Sequence, residues 1–482
     1  MLRRAATLLL AGLLAACGTD ARRRGNTVLY ASGADLQSIN PLFTIHPLAR
    51  QVQRYVLLTT LVRRDSAMRI APYLARHWSW SEGGRRLTLI LYPGLRWEDG
   101  APTTARDAAW TLTQARDPGT GYPRQTDLRL LARAAATDDT TLVLDFGAAT
   151  GTMPDVLTDL AILPAHLLDS IPAARLRQAA WNERPVGNGP FRFIRHDPNR
   201  RWVFERNGDF PAALGGPPLL ERLVIAVVDE PMTKLAGLTS GELDFAALQP
   251  AYATFAERDP ALVVREYPVL FTTGIVFNTR RPPFDALAQR RRVADGVDRR
   301  ALVDGFAYGF ATPADGPVPP ELPVPSAQYP VPDKPDFTDR ALGTGHSQEA
   351  PLRFELVTVG SGEAALEQML QAQLARGGIT VVIRQLELSA FLDRVYSTRP
   401  DFQAAVLGTP GDPDLGYLRP LAVLSGLPVP EGTDRLLRFY QDSVPVAFLY
   451  HAQGLQGVNR RVRGVELGLR GELATVAQWS VR

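Results

Sequence analysis

The residues from Pro185 to Phe210, PVGNGPFRFIRHDPNRRWVFERNGDF, constrain the fold more than any other stretch of the chain. Phe191, Arg192 and Phe193 alternate in its first half, and Trp202, Val203, Phe204 and Glu205 in its second, which is the period of strands with one face buried. His196-Asp197-Pro198-Asn199-Arg200 lies between them as a turn signal, so the spacing predicts a hairpin. Gly187 and Gly189 on one side and Asn207-Gly208 on the other predict glycine-assisted bends at both ends of the unit.

The amino-terminal residues read as an address. Arg3 and Arg4 precede a ten-residue apolar run, Ala5 to Leu14, that is too short to span a bilayer as a helix. Leu14-Ala15-Ala16-Cys17 is similar to a bacterial lipobox, which makes residues 1–16 a lipoprotein signal peptide, Cys17 the lipidation site and residues 17–26 a polar tether. The alternative is a plain secretory signal with a chance cysteine. Cys17 is the only cysteine in 482 residues, so the mature chain can form no internal disulfide. The chain is 45% apolar and 21% charged, with room for two or three domains. Removing Arg3 and Arg4 from a net charge of +3 leaves +1, with no basic stripe to suggest nucleic acid as a partner. No other segment approaches the length of a membrane span, so the body is expected to be exported and soluble.

Further along, Leu87, Leu89 and Leu91 alternate with Thr88, Ile90 and Tyr92, and Thr141 to Phe146 predicts another strand. Thr104-x-x-Asp107 is a capping box ahead of a helix through Ala108 and Leu112. Leu223 to Val228 is a continuous apolar strand suited to a sheet covered on both faces. Phe354 to Val359 and Ile379 to Ile383, joined by a helix through Leu366, Met369, Leu370 and Leu374, predict a βαβ unit. Arg290, Arg291, Arg292, Arg299 and Arg300 read as a solvated helix face. Glu98 and Asp99, adjacent in a turn, point apart and read as turn chemistry, not as a catalytic pair. The nine prolines from Thr312 to Pro335 predict an extended segment.

Several phrases together carry a resemblance. Pro185-Val186-Gly187 with Gly189-Pro190-Phe191 and Glu205-Arg206-Asn207, the turn Trp97-Glu98-Asp99-Gly100-Ala101-Pro102, Ser240-Gly241-Glu242-Leu243-Asp244-Phe245, and Val297 to Val303 resemble the extracellular solute-binding proteins of family 5, the dipeptide and oligopeptide binding proteins of ABC importers. The resemblance covers roughly residues 28 to 467. It implies an α/β fold of the periplasmic-binding-protein type II: two hinged α/β lobes plus an extra domain inserted in the first lobe. Lobe I would comprise residues 27–65, 185–277 and 451–482, the inserted domain 66–184, and a shortened lobe II 278–450. Tyr55 to Val62 would match the family's strand after its first loop.

The function so implied is capture without covalent chemistry or cofactor: a lipid-anchored, monomeric protein of the periplasm or cell envelope takes a peptide or other small solute between its lobes and delivers it to a membrane permease. Ligand-facing positions implied by the resemblance are Thr44, Ile45, His46, Phe277, Asn278, Thr279, Gly408, Thr409 and Asp412. Where many peptide-binding members carry a Trp and then an Asp that pairs with the peptide's amino terminus, this chain has Leu407-Gly408 and Thr409-Pro410, so that partner is absent unless Asp412 or Asp414 replaces it. A chaperone or assembly lipoprotein on the same scaffold is the alternative. An exported hydrolase is a weaker one, because the six histidines show no metal-ligand spacing and no G-x-S-x-G elbow occurs.

Overall fold

The computed structural model describes residues 25–322 apart from Ile45, and 351–482 apart from Ser361, Thr398 and 412–414. Cys17, Ile45, Asp412 and most of the proline-rich segment therefore lie outside the described residues. The chain divides into two units, one of Met1–Arg265 with Leu455–Arg482 and the other of Glu266–Gly454.

In the first unit β1 (Thr27–Ser32) is followed by a short helix, α1 (Pro47–Val52), and then by a four-stranded antiparallel sheet of its own. That sheet contains β2 (Ala75–Ser81), β3 (Arg86–Leu91), β4 (Leu131–Ala136) and β5 (Thr141–Phe146), in the order β2-β3-β5-β4, with helix α2 (Ala105–Arg116) against it. Leu87, Leu89 and Leu91 are buried, as are Leu142, Leu144 and Phe146, so both alternations point one face into the core. The capping box forms, with Asp107 accepting a 2.8 Å bond from the Thr104 amide at the start of α2. β6 (Phe191–Asp197) and β7 (Arg201–Arg206) are the expected hairpin, and Asn199 takes the left-handed conformation its turn requires (φ 55°). β8 (Arg222–Val227) pairs with β7 and runs parallel to β1, which also pairs with β9 (Phe245–Ala247). Leu223, Val224 and Ile225 of β8 are buried in succession, as a strand covered on both faces must be.

The glycines ahead of the hairpin have a steric reason. A Cβ on Gly187 would stand 2.3 Å from the Leu57 carbonyl oxygen, and one on Gly189 2.5 Å from the Leu57 carbonyl carbon. That carbonyl accepts the amides of Asn188 and Gly189 at 3.1 and 2.8 Å, and the Asn188 side chain accepts the Thr59 amide at 2.9 Å. Here the structure departs from the expected strand over Tyr55 to Val62: α1 passes into wider helical winding over Gln53–Leu57, and only Val62–Arg64 is a strand. The chain backbone at Leu57 serves the hairpin, so it is not free to join a sheet.

The second unit contains β10 (Leu262–Phe277), α3 (Leu287–Asp295), α4 (Arg299–Phe306), β11 (Ala311–Pro313), β12 (Leu352–Val359), α5 (Ala365–Arg376), β13 (Ile379–Leu386), β14 (Ala404–Pro410) and β15 (Val446–Asn459). Its sheet runs β13-β12-β14-β10-β15, with β11 paired to β15. β12, α5 and β13 make the parallel βαβ unit, with Leu366, Leu370 and Leu374 of α5 buried. β10 begins and β15 ends in the first unit, so the division between the units falls inside these two strands. Arg290 and Arg299 depart from the expected solvated face. Arg290 donates to the carbonyls of Phe284, Asp285 and Ser443, and Arg299 to those of Ala294, Val297, Ala314 and Phe448. Both side chains clamp backbone, and burial lowers both of their pKa values.

Candidate functional site

In the first unit the segment after β1 is pinned at Asp35. Its carboxylate accepts from His196 Nε2 at 2.9 Å, from Trp202 Nε1 at 2.7 Å and from the Asn199 amide at 2.6 Å, while the His196 and Trp202 rings stack with centroids 3.7 Å apart. Burial opposes ionisation, but these donors outweigh it and hold the carboxyl at about 2. The hairpin thus positions the loop that leads to Thr44 and His46. The Thr44 hydroxyl accepts the His46 amide at 3.1 Å, and His46 Nδ1 accepts the Ala49 amide at 3.3 Å as the N-cap of α1. Burial lowers the His46 pKa, against the nearby Asp35 charge, which keeps Nδ1 free to accept.

In the second unit the expected positions separate into two groups. Phe277 packs its ring on Phe284 at 4.6 Å inside the core. Asn278 donates to the carbonyl of Phe402 at 2.9 Å, and the Thr279 hydroxyl to that of Ser425 at 2.9 Å. These three side chains fasten loops of their own unit at the end of β10, with Phe277 and Asn278 buried and Thr279 half-buried. Gly408 and Thr409 lie on β14 opposite Thr273 and Thr272 of β10. Gly408 lies under the half-exposed Phe271 ring, whose tip would stand 2.6 Å from an added Cβ and would have to swing aside for a larger residue.

Thr409 belongs to a polar row absent from the sequence-based expectations. Thr409 pairs with Thr272, the Thr272 hydroxyl stands 2.9 Å from His451 Nδ1, and His451 pairs with Thr312 of β11. The row crosses four strands of one sheet. His451 is 3% exposed, and burial lowers its pKa to about 4, so the imidazole is neutral at physiological pH. The signal available in the sequence was the polar interruption of two apolar runs, by Thr272-Thr273 within Val269 to Phe277 and by His451 after Val446 to Tyr450.

Among the described residues, β14 is paired on its β12 side over only part of its length. Its pairing with β12 consists of Leu356 with Ala404 and Val357 with Ala405, whereas β14 continues to Pro410 against β10 on its other side. Beyond Ala405 no described strand pairs with β14 on that side. Among the described residues no group of His, Cys, Asp and Glu is arranged to hold a metal, and no helix is long and apolar enough to cross a membrane.

Residues 69–424 match the model of the bacterial extracellular solute-binding proteins, family 5. The chain belongs to that family. It is 27% identical over 327 residues to a putative ABC transporter peptide-binding protein of Brucella ovis, an alignment covering 66% of this chain. The chain spans 62% of the length of that relative. It is 29% identical to di/tripeptide-binding protein 4 of Pseudomonas aeruginosa, over 85% of this chain and 81% of the relative. The solved structure of the ABC transporter substrate-binding protein CtaP from Listeria monocytogenes superposes with a TM-score of 0.81 over 95% of this chain and 99% of that one, at 17% identity, a likeness of fold alone.

Two family phrases meet in space. The Glu98 amide donates to the Gly187 carbonyl at 2.9 Å, and Glu98 Oε1 accepts the amides of Gly187 and Phe193 at 3.0 and 3.3 Å. Asp99 turns the other way, to His166 Nε2 at 2.7 Å. Family 5 proteins are binding proteins, and the two adjacent carboxylates of this one are structural. Burial pushes Glu98 up to about 7 despite its two amide donors.

Proposed function

We propose that this family 5 protein captures a short peptide and delivers it to the membrane subunits of an ABC permease, held at the membrane by a lipid on Cys17. The observation that carries the ligand class is the length of β14 that no described strand pairs on the β12 side. An extended peptide can satisfy its own amides and carbonyls there, whatever its side chains, which is the recognition a transporter of mixed peptides needs. Gly408, with no side chain of its own at that edge, and Thr409 are the proposed backbone contacts, and Asp412 on the loop that follows is a proposed polar one. The names of the Brucella and Pseudomonas relatives point to the same class. A change in population between open and closed arrangements would signal the loaded state to the permease, by no more than the ligand's preference for one over the other.

The test is native mass spectrometry of protein exported through its own secretion route, so that it meets the solutes of the envelope. A ladder of bound masses matching di- to tetrapeptides is the expected result. A single non-peptide mass would overturn the peptide class.

A further inference from the structure

One face of the second unit's sheet is covered over β12 and bare over β13. β13 stands at the end of the strand order beside β12, with Val382 directly opposite Glu355. The next element, helix α6 (Leu388–Tyr396), lies over β12: Arg394 donates to the Glu355 carboxylate at 2.7 Å, and Phe391 and Val395 are buried beneath the helix. Val382 on this face is 36% exposed, with Thr380 and Arg384 exposed to either side, whereas Ile379 and Val381 on the other face are buried against α5. The helix carries a second apolar stripe. Leu388, Leu392 and Tyr396 recur every four residues and are 54, 44 and 56% exposed. A surface helix ordinarily turns one apolar stripe inward and charged residues outward, so α6 has one stripe more than its own unit uses. With Val382, and with Val359 beside Leu386 at the helix entry, the exposed apolar surface is on the order of 400 Å², a size at which a patch on a single chain often carries a function.

We infer that this stripe is the contact with a second copy of the chain, in place of the monomer expected from the resemblance, with the two α6 helices packed antiparallel about a twofold axis at Leu392. The stripe is symmetric about that residue, with one large apolar side chain four positions to each side. In an antiparallel pair Leu392 meets its twin and Leu388 meets the partner's Tyr396, the self-complementary contact that a twofold axis demands. The charges select the same arrangement. Glu387 stands just before the stripe and Arg399 just past it, both exposed and neither in an ion pair among the described residues. Antiparallel packing sets Glu387 beside the partner's Arg399, whereas parallel packing would set each charge beside its own kind. A stable dimer buries about 800 Å² from each copy, and the apolar stripe supplies about half of that as the core, with the exposed Thr380, Arg384, Ser389 and Asp393 as a polar rim. Association is therefore expected to be reversible and concentration-dependent. The inference stands apart from the peptide reading.

The experiment is sedimentation velocity of the full chain carrying Cys17→Ser, from about 1 to about 100 µM, the range in which a contact of this size comes apart. A shift from one chain toward two with rising concentration is expected. Leu392→Glu sets two carboxylates face to face on the axis, and it is expected to raise the dissociation constant at least about tenfold while the melting temperature of dilute protein stays the same. Arg399→Glu leaves the stripe whole and puts glutamate beside glutamate; it is expected to weaken the pair about threefold or more at low salt, and this variant decides the matter if Leu392→Glu folds poorly. In the same Cys17→Ser chain, Leu392→Cys is expected to cross-link to its twin under a mild oxidant, while Leu388→Cys and Tyr396→Cys cross-link to each other when mixed and not to themselves. A single chain at every concentration, a dimer that neither Leu392→Glu nor Arg399→Glu weakens, or a Leu388→Cys chain that cross-links to itself in preference to Tyr396→Cys would each overturn the inference. The first of these would give the stripe to a different occupant, a membrane subunit of the permease being the next to test.

Discussion

Gly189 leaves no space for a methyl group, because the atoms it would meet are backbone atoms of Leu57 and cannot swing aside. Gly189→Ala is therefore expected to lower unfolding stability by about 2 kcal/mol or more, read as a lower urea midpoint with the slope unchanged. Two groups with shifted pKa values set opposite pH slopes. Glu98 has its folded pKa raised to about 7, so the fold is favoured below its unfolded value and loses stability as pH rises toward 7. Glu98→Gln keeps an acceptor for the two amides and removes the charge. It should raise the melting temperature at pH 8 and change it little at pH 4, a gain of at most about 3 kcal/mol. His451 has its folded pKa lowered to about 4, so its contribution is whole above 6.5 and is lost as pH falls from there to 4. His451→Gln should flatten the acid limb of a melting-temperature profile over that window. An acid limb of the same steepness in the variant would mean that protonation of His451 does not drive the loss.

At the scale of elements, Asp159 ties the short helix that carries it to α1 and the winding after it. Its carboxylate takes Arg50, Arg54 and Arg124 together, and although burial works against the charge, the three guanidinium groups hold its pKa at about 2. Asp155, four residues earlier, takes Arg64 in the same region. Removing one member of such a buried group leaves the others uncompensated. Asp159→Asn is expected to cost about 3–5 kcal/mol and to speed proteolysis within residues 47–64 ahead of other segments. Uniform loss of resistance along the chain would show that the ion network does not act locally. Much of the element scale was readable beforehand: the hairpin, the two leucine-lined strands, the capping box and the βαβ unit all follow from period and turn chemistry over ten to forty residues. The arginines of α3 and α4 were not. Arg290 and Arg299 lie in a pattern that looks solvated, yet they reach carbonyls up to 153 residues away.

For the whole molecule, the sequence-level organisation carries a prediction about location. Cys17→Ser should abolish labelling by a fatty-acid analogue and release the chain from the membrane fraction, with the soluble body still retaining peptides. Labelling that persists would require a different anchor. The two units separate inside β10 and β15, two long strands that each belong to both. A boundary within a continuous strand leaves no composition shift, linker or glycine-rich stretch to mark it.

What the sequence alone determined is whatever depends on neighbours along the chain: alternation that selects a buried face, turn residues that permit a hairpin, a cap that starts a helix, and phrases specific enough to mark the family. What only the tertiary structure decided is which polar groups are left with work to do. Phe277, Asn278 and Thr279 look like a plain strand end, and the side chains of Asn278 and Thr279 bond to backbone more than 100 residues distant. Glu98 and Gly187 lie 89 positions apart, and their contact draws a turn carboxylate into a half-buried setting. Desolvation and pairing depend on atoms brought together from distant segments, and a pattern of residue types along one chain does not contain that sum.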